Sequence, residues 1–115
     1  MDEIERALVR ARRLGYLDDA AFARALAARR ARTRGPALIA RELAAKGMER
    51  EVVREAIDGL HRAEVLAAAR RLAGRAAAGG TDRRAVAARL LRRGFPGDVV
   101  REAVGRDVEP LPEVE

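Results

Sequence analysis

Apolar residues recur at every third or fourth position through nearly the whole chain, in stretches rich in Ala, Leu, Arg and Glu. Nowhere do apolar and polar residues alternate with the β-branched content that a strand favours, so the pattern predicts an all-α fold. Seven helices are expected. The first spans about Asp2 to Arg13, with Ile4, Leu8 and Ala11 on one stripe and Gly15 as its stop. The second opens at Asp18, whose carboxylate can cap free amides, and runs to about Arg32 with Phe22 and Leu26 one turn apart. Gly35-Pro36 ends that helix and starts a third, which turns Ile39, Ala40 and Leu43 inward and stops at Gly47. The fourth, about Glu49 to Gly59, buries Val52, Val53, Ala56 and Ile57. The fifth, about Arg62 to Ala78, sets Val65, Ala69, Leu72 and Ala76 on one face before Gly79-Gly80 breaks it. Thr81 is the expected cap of a sixth helix carrying Val86 and Leu90 to a stop at Gly94. Phe95-Pro96-Gly97-Asp98 then starts a seventh with Val99, Val100, Ala103 and Val104.

Self-comparison shows that these helices repeat. Residues 39–57 align without a gap on residues 86–104, with eight identical positions that include Leu43/Leu90, Gly47/Gly94 and the Val-Val-Arg-Glu-Ala block. A helix, a glycine stop and a second helix are used twice in one geometry, and the preceding helices correspond after one residue of loop adjustment. The chain therefore divides into four parts. Residues 1–15 read as the last helix of a repeat whose first two helices are absent from this sequence. Residues 16–60 and 61–106 form two complete three-helix repeats, and 107–115 form a tail. With Asp107, Glu109, Glu113 and Glu115 beside Pro110 and Pro112, that tail is expected to be disordered. The period also falls among those of other helical repeat proteins and identifies no family by itself.

Composition narrows the chemistry. The 115 residues include 24 basic and 18 acidic side chains, a formal charge of +6, and only Lys46 among the bases is lysine. The acids of the tail concentrate the positive charge on the folded part, so an acidic partner is expected. There is no Cys, Ser, Asn or Gln and a single His, which removes disulfides, thiolate metal sites, Ser or Cys nucleophiles and most catalytic triads. Neither an enzyme activity nor a cofactor or metal is expected. The acidic start and the lack of a long apolar run argue against a secretion signal or a membrane span, and the chain reads as cytoplasmic.

Local motifs give a resemblance. Gly15-Tyr16-Leu17-Asp18-Asp19-Ala20-Ala21-Phe22-Ala23 resembles the GYLDD-x-x-FA signature of the RecX family, regulators of the bacterial recombinase RecA. An Arg-rich helix follows with Arg29, Arg30, Arg32 and Arg34, then Gly35-Pro36, Leu43, Lys46-Gly47 and the Val52 to Ala56 block, in the order the family keeps. Leu90-Leu91-Arg92-Arg93-Gly94-Phe95 with Val99-Val100 resembles the family's closing motif. The likeness covers about residues 4–105. It implies tandem three-helix repeats in an elongated, curved molecule. It also implies a non-enzymatic role in binding the RecA–single-stranded DNA filament and restraining its recombinase, ATPase and coprotease functions.

The residues themselves leave two classes of partner open, a RecA filament or the phosphates of single- or double-stranded DNA. Candidate contacts are Tyr16, Arg24, Arg29, Arg30, Arg32, Arg34, Arg70, Arg71, Arg75, Arg83, Arg84, Arg92 and Arg93. Among these, Arg70, Arg71 and Arg75 project away from the apolar face of the fifth helix, with Arg83 and Arg84 just beyond the Gly-Gly break. Arg29 lies beside Phe22 and Leu26 on the wheel, where it must snorkel, pair with an acid or face a partner. Tyr16 and Leu17 are expected to pack the joint between repeats, Phe22 and Phe95 to be core, Asp18 and Thr81 to cap helices, and His61 to be structural or exposed. Without Asn or Gln the bidentate reading of adenine is lost, and three aromatics do not make a stacking platform. Direct DNA binding would thus be phosphate-driven and steeply salt-dependent, with no sequence preference. No membrane partner is expected, and the chain is expected to be monomeric.

Overall fold

The computed structural model describes residues 2–105, and every element among them is helical. The order is α1 (Glu3–Arg30), α2 (Pro36–Ala45), α3 (Arg50–Asp58), α4 (Arg62–Ala78), α5 (Arg83–Arg92) and α6 (Gly97–Val104). Asp2 caps α1 by accepting from the Glu5 amide at 2.7 Å. Glu3 and Glu5 in the first turn and Arg29 and Arg30 in the last complement the helix dipole. The Pro36 ring occupies the first turn of α2, where a missing N–H costs nothing.

Two cores form along the chain. In the first, Ala23, Leu26 and Ala27 of α1 pack with Ile39 and Leu43 of α2 and Val52 and Ala56 of α3. In the second, Val65, Leu66, Ala69 and Ala76 of α4 pack with Val86 and Leu90 of α5, Phe95, and Val99 and Val100 of α6. Leu60 packs against both. The molecule measures 65 × 31 × 20 Å with a radius of gyration of 18.4 Å, against roughly 13–14 Å for a compact chain of this length. It is an elongated helical array.

Backbone groups make the joint between the two cores. The Gly35 amide donates to the Arg93 carbonyl at 2.8 Å and the Ala37 amide to the Gly94 carbonyl at 3.2 Å. A Cβ on Gly35 would overlap the Gly94 carbonyl and the Phe95 amide, and one on Gly94 would lie 2.5 Å from the Leu38 amide nitrogen. Gly94 also has a φ of +93°, matched by +87° at Gly47, its counterpart in the sequence repeat. The Arg93 guanidinium donates to the Thr33 carbonyl at 2.8 Å, and Arg71 to the Arg32 carbonyl at 2.8 Å, so side chains reinforce the joint.

Several expectations fail in the first thirty residues. The first two predicted helices are one, because Gly15 stays in helical conformation and does not take the positive φ that a glycine stop uses. Asp18 is consequently no cap; it is an exposed residue in the middle of α1. Phe22 is 49% exposed while Ala20, Ala23 and Ala27 are buried. Small side chains let α3 approach closely, and of the larger apolar residues of α1 only Leu26 is fully turned into the core. Ile4, Leu8, Val9, Leu14 and Leu17 are exposed too, so Leu17 does not pack a joint. Tyr16 is half-buried against the first core. Thr81 is not the cap of α5; Asp82 is, its carboxylate accepting from the Ala85 amide at 2.9 Å. Phe95 is buried as expected. The acidic segment 107–115 lies outside the described residues.

A basic groove between the repeats

Helix α4 presents its second core on one side and a row of polar and small residues on the other. Across that second side lies the C-terminal part of α1. Between them runs a groove of about 790 Å³ whose rims carry Arg24 and Arg32 from the first unit and Arg71 and Arg75 from α4, with Glu64 as its single acid. The floor is apolar and made of small residues, Ala28, Ala31, Ala56, Ala67 and Ala68, with Leu60 and Leu72. The groove exists because alanine fills the facing positions where larger side chains would close the gap. A second hollow of about 240 Å³ continues past Arg75 to Arg89 and Arg93 over Leu72, Ala76, Val86 and Leu90. Arg75 and Leu72 line both.

Six arginines and one glutamate therefore line two adjacent hollows. Two of the arginines are held in place, since Arg71 and Arg93 each donate to a main-chain carbonyl of the loop after α1 and keep further N–H groups available. None of the carboxylate ion pairs among the described residues involves Arg24, Arg32, Arg71, Arg75, Arg89 or Arg93.

The other arginines singled out from the sequence have different positions. Arg30 and Arg34 both hold Glu42, with Arg30 Nε at 3.0 Å and Arg34 Nη1 at 2.8 Å from Glu42 Oε1. Hydrogen bonding from Arg30, aided by the charges of Arg30, Arg34 and Lys46, keeps the Glu42 carboxyl below its ordinary range. Arg70 approaches Glu102 at 3.7 Å, and Arg62 bonds Glu102 at 2.8 Å and Asp98 at 3.3 Å. Arg83 closes α6 by donating to the Val104 carbonyl, at 2.7 Å from Nη2. Arg29, Arg84 and Arg92 are exposed and line neither hollow. The Tyr16 hydroxyl donates to Glu55 at 2.7 Å, and that bond raises the phenol above its ordinary 10.0. Arg89 was not singled out by sequence, although its one-turn spacing to Arg93 and its place beside Val86 and Leu90 carried a signal. Glu64 was missed as well. No cluster of potential metal ligands occurs among the described residues, and none of their helices is long and apolar enough to cross a membrane.

Comparison with known proteins places these features. A family model described as the second three-helix domain of RecX matches residues 18–57, which take in the end of α1, α2 and most of α3. Two relatives named regulatory protein RecX, from two strains of Thermus thermophilus, are each 42% identical to this chain over 102 residues. The alignments cover 88% of this chain and 68% of each relative. No solved structure gives a significant match. The helical array, the motifs around Gly15 to Ala23 and this extent of identity agree, and the chain belongs to the RecX family of regulatory proteins.

Proposed function

We propose that this chain is a non-enzymatic regulator that binds a RecA–single-stranded DNA filament and restrains its recombinase, ATPase and coprotease functions. The groove between α1 and α4 is its principal contact. What supports the reading is the gathering of four arginines with a single acid in the groove and of two more in the hollow beside it, joined to the family membership. Arg24, Arg32, Arg71 and Arg75 act together in this reading, with Arg89 and Arg93 extending the contact. Arg29, Arg84 and Arg92 are peripheral, and Arg30 and Arg34 serve the fold through Glu42. A regulator of this kind works in the cytoplasm as a single chain and needs no cofactor.

A second reading, phosphate-driven binding of DNA without sequence preference, is favoured by the exposed arginines that line neither hollow. DNA-dependent ATP hydrolysis by RecA, titrated with this chain at limiting and at excess single-stranded DNA, separates the two. Inhibition at less than one chain per RecA that survives excess DNA supports the filament regulator. Inhibition that fades as DNA is added means competition for phosphate. Absence of inhibition at every ratio refutes the proposal. The variant Arg71→Ala/Arg75→Ala should lose most of the inhibition and keep its helicity.

A further inference from the structure

Charge alone does not account for the shape of the groove. A phosphodiester backbone is held by the arginines alone, and its anionic oxygens gain nothing from hydrocarbon beneath them. Here basic side chains share the lining with hydrocarbon: Ala28, Ala31, Ala67 and Ala68 line the same hollow as the two pairs of arginines, together with Leu60 and Leu72. Arg71 and Arg75 are one helical turn apart, about 6 Å along the axis. Two acids spaced by four residues on a helix, or by two on an extended strand, repeat at nearly that distance. Arg71 and Arg93, tied to the Arg32 and Thr33 carbonyls, need little ordering before they receive a carboxylate.

We infer that the groove is a docking site for an acidic polypeptide segment of a partner protein, one whose aliphatic side chains seat on the alanine floor while its carboxylates meet the arginine rims. The inference rests on the reading of this groove as the partner contact and adds the chemistry of what enters it. Arg24 and Arg32 receive acids from one side of the segment, and Arg71 and Arg75 from the other. Glu64, the only acid present, disfavours a carboxylate near its end of the groove and so sets a direction for the segment. Selectivity comes from the floor: a phosphodiester backbone satisfies the arginines but leaves the hydrocarbon uncovered.

The test uses the full chain and three fluorescent probes of about 12 units: a Glu/Leu peptide, the same peptide with Ser in place of Leu, and an oligothymidylate. At near-physiological salt the Glu/Leu peptide should bind about tenfold tighter than its equally charged Ser counterpart, the return expected from burying about one leucine side chain. The variant Ala28→Leu/Ala67→Leu fills the floor at two exposed positions and leaves every charge in place. It should abolish that preference and leave oligothymidylate binding unchanged. Equal binding of the two peptides, or a preference that survives the filled floor, overturns the inference. So does an oligothymidylate that binds tightest and is displaced from the floor-filled variant. Inhibition of RecA without the peptide preference would defeat this inference alone, and the preference without inhibition would defeat the proposed function alone.

Discussion

Substituting alanine for Gly35, Gly47 and Gly94 one at a time separates backbone strain from contact at the joint. Gly47 has a φ of +87° and nothing within 4 Å of the Cβ it would gain, so its variant suffers strain alone, about 1–2 kcal/mol for an L-residue in the left-handed region. Gly35 has an ordinary φ of −85°, but its Cβ would meet the Gly94 main chain. Relief requires the two units to part, with loss of the Gly35–Arg93 and Ala37–Gly94 main-chain bonds and the Arg93–Thr33 bond. At about 1 kcal/mol each, that is roughly 2–3 kcal/mol. Gly94 combines both penalties, φ +93° and a Cβ 2.5 Å from the Leu38 nitrogen, and should lose about 3–5 kcal/mol. Urea unfolding followed by helical circular dichroism measures all three, and a loss of 1 kcal/mol lowers the Tm of a chain this size by roughly 4–8 °C. Because Gly35 and Gly94 are pressed against the same contact, the double variant should lose well under the sum of the singles. A Gly35→Ala variant as stable as the parent, or equal losses at Gly47 and Gly94, would refute the view that main chain joins the repeats.

The unbroken course of α1 predicts that Gly15→Ala stabilises the chain by about 1 kcal/mol, since Gly15 is an interior helical residue with open space around it; a thermal melt checks this, and a destabilisation would mean a turn at that position. Asp18→Ala should likewise be neutral or slightly stabilising. Asp82→Ala should cost about 1 kcal/mol by removing the cap of α5, and Thr81→Ala less, a comparison open to the same melts. Glu42 has a folded carboxyl pKa depressed chiefly by hydrogen bonding to Arg30, so its contribution is present above the unfolded value near 4.5 and is lost as the pH falls through the lower folded value. Stability measured from neutrality down into acid should decline less for Glu42→Gln than for the parent, and parallel declines would count against the pairing.

The duplicated part of the fold was legible because one chemistry is used twice. Gly47 and Gly94 take the same left-handed turn, and the valines and leucines that follow the helical period from Ile39 to Leu43 and from Val86 to Val100 enter the cores. The first thirty residues misled for a definite reason. Gly15 and Asp18 are turn-forming residue types, and their local preference was weaker than continued helical hydrogen bonding. Phe22 was misplaced because α1 is apolar on more than one face, and the alanine face packs where close approach is possible. Of the candidate site, the abundance of arginine was visible but its distribution was not. Arg24 and Arg32 share a hollow with Arg71 and Arg75 only because the two units pack together, and Arg30 was diverted by Glu42, twelve residues away in the chain.

The contact at Gly35 and Gly94 joins unlike surfaces, the loop after the first helix of one unit and the turn before the last helix of the next. Such head-to-tail contacts are open rather than closed, so the same operation can be applied again. The turn at Gly47 has the φ of Gly94 and unoccupied space beside it, and offers the receiving half of the contact once more. Arrays of this kind can lengthen by tandem duplication of a gene segment provided that the donating loop keeps a residue without a Cβ, and here the second unit has Asp82 where the first has Gly35. The glycines at the contact then admit no side chain, whereas Arg24, Arg75 and Arg89, which take no part in the joint's hydrogen bonds, can vary with the partner.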